Sequence, residues 1–144
     1  MGEFKTYSQT LSISTKGNND IVDIYTHISS VVKSSGVVEG IVSVFVPHTT
    51  CALTAMELEP GTQADLKEFL DSWVPASHLY RHNVVNHDTN GHAHLRASLL
   101  GPSLQLPVVN SEILVGTWQT PVLIDCDDRP RARKLFVCVI GITR

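Results

Sequence analysis

Residues 87–101, HDTNGHAHLRASLLG, place three histidines and an aspartate within eight residues before the chain turns apolar. Imidazole near neutral pH is a metal ligand when neutral and a proton carrier when it titrates, so a metal site and an acid–base site are both open here. Two residues apart, His92 and His94 share one side of an extended chain but lie roughly 160–200° apart on a helix. Asn90-Gly91 is a turn signal and Ala93 onward has helical character, so the two histidines straddle a helix start. Unpaired amides at such a start disfavour an imidazolium, which keeps His94 neutral. No HExxH and no CxxC pair is present.

Four further segments carry reactive groups. In Pro47-His48-Thr49-Thr50 a histidine follows directly on a strand, where a sheet presents side chains to a cleft, and two hydroxyls stand ready to donate to an anion. A backbone carbonyl would satisfy the same histidine equally well. His78, His82 and His87 lie in a long polar stretch, residues 74–91, of a length more often functional than idle. Residues 125–134, DCDDRPRARK, read as a charged turn in which Arg129, Arg131 and Arg133 offer guanidinium forks for a phosphate. Gly116-Thr117-Trp118-Gln119 adds an amide beside a tryptophan expected in the core.

These groups must be positioned by elements whose periodicity is legible. Residues 4–14 alternate as a strand. Ile21, Ile24, Tyr25, Ile28, Val31 and Val32 fall at helical spacing after an N-cap at Asn18 or Asn19, and Gly36 ends that helix. Residues 40–50 and 51–58 read as strands, Pro60-Gly61 as a turn, and residues 62–73 as a helix with Leu66, Phe69, Leu70 and Trp73 on its core face. A short helix over 93–100 and strands at 103–109, 112–119, 121–126 and 135–142 complete an α+β chain. Its sheet is largely antiparallel, with two main helices and one short helix.

The 144 residues carry a formal net charge of −3 and are 42% hydrophobic, the profile of one domain, residues 1–144, with its own core. Without a basic excess a nucleic-acid role has no electrostatic support, and the longest apolar runs fall far short of a membrane span. Cys51, Cys126 and Cys138 are widely spaced and odd in number, which fits reduced thiols in a cytoplasmic protein.

The motifs HTT, HAHLRASLLG, LPV, GTWQ and RPRAR, in this order and spacing, resemble the YjbQ-like family, also called secondary thiamine-phosphate synthase. The resemblance implies an α+β fold with a bifurcated or sandwich-like antiparallel sheet, a homotrimer and a polar pocket near the subunit boundary. It matches His48, Glu57, His82, His94, Gln119 and Arg131 to the family's polar positions, with His92 the least secure. Met56 stands where the family carries Asn or Gln, Asp125 replaces a Glu, and Arg129 replaces a turn glycine. The implied reaction joins a pyrimidine pyrophosphate to a thiazole phosphate and releases pyrophosphate.

On this reading a small phosphorylated metabolite is the partner, held by Arg131 with Thr49, Thr50 or the amides at Ala93. His48, His82 and His94 are expected to converge on one divalent metal, zinc in preference to magnesium because three imidazoles suit zinc. Glu57 and Asp88 are candidates to orient the ligand rings, while His87 and His92 are expected behind the ligands or in solvent. The same three histidines would serve as a metal-free acid–base set, or activate water for hydrolysis of a phosphorylated metabolite. A non-catalytic trimer that binds metal or a phosphate metabolite is the alternative from another class. The chemistry requires no covalent nucleophile, so Cys51 is expected to be a small packed residue behind His48.

Overall fold

The structure is a computed structural model that describes residues 1–144. Eight strands and four helices follow in the order β1 (Phe4–Thr15), β2 (Asp20–Asp23), α1 (Tyr25–Ser35), β3 (Val37–Phe45), β4 (Cys51–Met56), α2 (Pro60–Trp73), α3 (Arg81–Asn86), α4 (Gly91–Leu100), β5 (Ser103–Val109), β6 (Glu112–Ile113), β7 (Thr120–Asp125) and β8 (Arg131–Thr143). The strands form a five-stranded sheet, β1-β8-β3-β5-β6, and a three-stranded sheet, β2-β7-β4. Every strand pair is antiparallel, as the α+β reading expects.

The main core lies between the inner face of the larger sheet (Val42, Val44, Leu135, Val137, Val139) and α1, whose Ile28, Val31 and Val32 sit at the predicted spacing. Leu53 of β4 and Leu123 of β7 close this core from the smaller sheet. Val122 and Ile124 point the other way, with Ala93 of α4 and the partly buried Leu66 of α2 packed on them. β7 is therefore covered on both faces, which is why its sequence is a continuous apolar run rather than an alternation. No helix is long and apolar enough to cross a membrane.

Several elements depart from expectation for local reasons. Asn18 and Asn19 do not cap a helix: both adopt left-handed backbone (φ 53° and 63°) in a turn that leads into β2, and α1 begins only at Tyr25. The turn is tight because Gly17, at φ 79°, approaches the Arg129 carbonyl so closely that a Cβ would lie 2.5 Å from its oxygen. Pro60-Gly61 is the first turn of α2, with Glu59 accepting hydrogen bonds from the Gly61 and Thr62 amides. In the apolar stripe of α2 only Leu70 is buried and Leu66 partly so, leaving Trp73 71% exposed. Residues 114–119 leave the sheet, and Trp118 is on the surface at 73% exposure. The RPRAR segment is not a turn beyond Pro130: Arg131 and Arg133 open β8 and pair with Thr15 and Ile13.

That last difference sets the electrostatics. Arg133 is buried and donates through Nε to Asp125 Oδ2 (2.7 Å) and through Nη2 to Asp125 Oδ1 (2.8 Å). Asp125 also accepts from the Thr15 hydroxyl and the Asp127 amide. Burial would raise the Asp125 pKa, but the bonds from Arg133, Thr15 and Asp127 outweigh it and hold the carboxyl below its ordinary range.

Arg133→Met leaves a fully buried carboxylate without its counter-ion and should cost about 3–5 kcal/mol in urea denaturation. Arg131→Ala, which leaves buried Asp127 its Asp128, Thr50 and Asn90 donors and Arg133 at 3.6 Å, should cost less, about 1.5–3 kcal/mol. Equal costs would contradict this division of labour.

Candidate functional site

Two residues beyond the end of β7, Asp127 anchors the polar framework of the site. Asp127 is buried and accepts from four sources: the Asp128 amide (2.8 Å), the Thr50 hydroxyl (3.0 Å), the Asn90 side-chain amide (3.3 Å) and Arg131 Nε (3.2 Å). Burial pushes its carboxyl up, but the Asp128, Thr50 and Asn90 hydrogen bonds and the Arg131 charge bring it down to about 2. Thr50 is occupied on both sides, since its hydroxyl also accepts from Arg133 Nη2 at 2.7 Å. Arg131 is ion-paired with Asp127 at 3.1 Å. Both are engaged within the chain, and an anion reaching Arg131, whose side chain stays 38% exposed, would share it with Asp127. Three opening amides of α4 are also committed: Gly91 donates to Asn83 Oδ1, and Ala93 and His94 to the Asn90 carbonyl.

From Asp127 the framework reaches the histidines through one residue. Because Asn90 Nδ2 points at a carboxylate, its Oδ1 faces His82 Nε2 at 3.2 Å, and that contact requires a proton on Nε2. His82 Nδ1 then accepts from Asn86 at 3.3 Å. Asp88 lies 3.9 Å from His82 Nε2, beyond hydrogen-bond distance, and Asn90 is the nearer partner. The ring of His94 stacks on that of His82 with centroids 4.1 Å apart. His94 makes no side-chain hydrogen bond, and burial, then the neighbouring His82, lowers its pKa. His82 and His94 line a cleft of about 540 Å³ together with His78, Tyr80, Arg81 and Leu95. His78 packs edge-on against Tyr80.

His48 is elsewhere. It lines a separate cavity of about 310 Å³ with Thr49, Cys51, Ala97 and Ser98. Its Nε2 accepts the Lys134 backbone N–H at 3.0 Å. No group of three His, Cys, Asp or Glu side chains is placed to hold a metal. The residues of one chain therefore do not fit the expected His48, His82, His94 centre for zinc or magnesium. His48 follows β3 whereas His82 and His94 lie on α3 and α4, and nothing in local spacing could reveal that separation.

Glu57 is exposed and lines neither cavity. Gln119 is exposed too, its Oε1 accepting the Gly116 amide at 2.9 Å to close a local turn. His87 ends α3 in left-handed backbone, in solvent as expected. His92, expected behind the ligands or in solvent, is 4% exposed and lies against Arg96, Asp71 and Asn19 across α4 from His94. The Cys51 thiol, pushed by burial to about 12, is inert, in line with a packed residue. Sequence reasoning missed Asn90 and Asp127. An Asn one residue before a helix and an Asp just past a buried strand were the available signals.

A sequence profile described as UPF0047 protein YjbQ-like matches residues 9–142. The chain belongs to this family. It is 37% identical over 137 residues to a UPF0047 protein of Methanothermobacter thermautotrophicus, covering 95% of this chain and 94% of that one. Bacillus subtilis YugU, a UPF0047 protein, is 29% identical, with 92% and 98% covered. Among solved structures, a YbjQ-like protein of unknown function from Sulfolobus solfataricus superposes with a TM-score of 0.90 at 32% identity, covering 96% of this chain and 99% of that one. A YjbQ/UPF0047 family protein from Clostridium acetobutylicum gives 0.84 at 34% identity, with 92% and 99% covered.

His48, His92 and His94 all have lowered pKa values with burial as the largest cause. The folded state thus binds fewer protons there than the unfolded chain does. Their contribution to stability is full above about pH 6.5 and is lost as pH falls through the folded values. Stability in urea should drop between pH 7.5 and 5, and His94→Gln should flatten part of that drop. A flat wild-type profile would contradict the assigned burial.

Proposed function

We propose that the chain is an enzyme acting on a small phosphorylated metabolite in the His82–His94 cleft, without a three-histidine metal. The observation that carries this reading is the arrangement of His94: an unbonded imidazole, stacked on a second imidazole that Asn90 holds in place. Arg81 lines the same cleft and makes no hydrogen bond or ion pair within the chain. An arginine and the free ring N–H of His94 facing one cleft can stabilise charge that develops on a leaving phosphate or pyrophosphate.

The coupling implied by the YjbQ-like resemblance fits such a site. The thiazole nitrogen forms a bond to the methylene carbon of the pyrimidine, and the carbon–oxygen bond to pyrophosphate breaks with its electron pair leaving on oxygen. Arg81 and the N–H of His94 would face that oxygen. Hydrolysis of a phosphate ester is the second reading, favoured by the lowered pKa of His94, which leaves it neutral and able to take a proton from water.

The two readings separate in one assay on protein treated with chelator. Incubation with the pyrimidine pyrophosphate and the thiazole phosphate should yield thiamine phosphate and pyrophosphate, whereas hydrolysis yields inorganic phosphate or pyrophosphate alone. His94→Gln should lower turnover by about 10²–10⁴-fold, and Arg81→Ala should weaken substrate binding. No product from either reaction, with saturable binding intact, would leave a binding protein. Turnover that returns only with added zinc would overturn the metal-free reading.

We also propose that the chain assembles as a homotrimer. On the outer face of the larger sheet Ile41 pairs with Ile140 and Phe45 with Phe136, all four exposed. A contiguous apolar face of this kind marks an association surface. Sedimentation at micromolar concentration should give one species near three times 15.8 kDa; a monomer would refute the trimer.

A further inference from the structure

His48 is fixed in a state that free histidine does not favour. The Lys134 N–H on β8 donates to its Nε2, so that nitrogen carries a lone pair. A protonated ring would set an N–H against an N–H, so the contact holds His48 neutral with its one proton on Nδ1. Nδ1 makes no hydrogen bond within the chain, and the residue lines the cavity beyond β3. His48 is thus a fixed hydrogen-bond donor rather than a metal ligand.

The rest of that cavity offers little polarity. Its walls are Phe45, Val46, Pro47, Ala97 and Pro102, with the Thr49 hydroxyl and the thiol of Cys51, which burial keeps protonated. The Ser98 hydroxyl is spent on the His94 carbonyl at 2.7 Å. The nearest guanidinium, Arg133, is bound bidentately to Asp125 and absent from the lining. No cationic side chain is part of the lining itself. Largely apolar walls with a few polar groups are the usual make-up of a small-ligand pocket, and about 310 Å³ lies at the lower end of the range for such sites.

We infer that the His48 cavity is a second ligand site, for a small neutral nitrogen heterocycle whose ring nitrogen accepts the His48 Nδ1–H. The site is separate from the His82–His94 cleft, and α4 lies between them: Ala97 and Ser98 line one, His94 and Leu95 the other. The inference does not depend on the enzymatic reading of that cleft.

Histidine-labelled protein observed by nitrogen NMR at pH 7.5 tests it, with pyridine as the probe and benzene as a ring of similar size that lacks the acceptor. Free His48 should show a protonated Nδ1 and a bare Nε2. Pyridine should shift the His48 signals saturably, with benzene binding at least about tenfold more weakly, the equivalent of roughly 1.4 kcal/mol. His48→Phe should abolish that preference. Ala97→Leu should exclude both rings while leaving the His48 tautomer unchanged, which confirms that the fold and the Lys134 contact survive. A proton on Nε2 in the free protein would overturn the inference. So would equal binding of the two rings, or no binding of pyridine at His48.

Discussion

The buried carboxylates that follow β7 constrain everything around them. Asp125 and Asp127 sit at the end of a strand covered on both faces, where water cannot solvate them. An unpaired charge in such a place is very costly, so the chain must bring donors to it. Thr15 arrives from β1, Thr50 from the start of β4, Asn90 from the start of α4, and Arg131 and Arg133 from β8. Four segments, three of them distant in sequence, are tied to two side chains. The two sheets and α4 cannot shift independently while those bonds stand.

The functional geometry follows from that constraint. Asn90 has one face toward Asp127 and the other toward His82, so the buried charge fixes the ring against which His94 stacks. Asn90 conveys orientation without placing a charge directly on the imidazole. Arg133 is buried against the carboxylates and Arg131 is shared with Asp127, so the unpaired cation beside the histidines is Arg81. Neutral histidines and an unpaired arginine in one cleft suit a ligand that carries its own negative charge.

The helical and strand periodicities of α1, β3 and β8 were legible because one face of each is buried, and the YjbQ-like motifs carried the family with them. Failures arose where tertiary context overrode local pattern. The apolar stripe of α2 has the right period for a core helix, yet only Leu70 is buried, because Val122 and Ile124 are covered mainly by α4 and Leu66. Ile21 matched a helix but pairs with Ile124 as a strand residue. Arg131 and Arg133 looked like turn charges, although their two-residue spacing continues the alternation of β8 and points both arginines to one side. His92 and His94 do lie on opposite sides of α4, as helical geometry requires. The separation of His48 from His82 and His94 could not be read from sequence, because it depends on where β3 ends relative to α3 and α4.

The central claim is that an anionic ligand enters the His82–His94 cleft rather than the arginine-rich end of β8. Crystals of the protein soaked with pyrophosphate test this most directly, since the ligand's position is observed. The account predicts density within hydrogen-bond distance of His94 and Arg81, with the Arg131–Asp127 pair intact. Pyrophosphate bound at Arg131 with that pair broken, or seated in the His48 cavity, would contradict it.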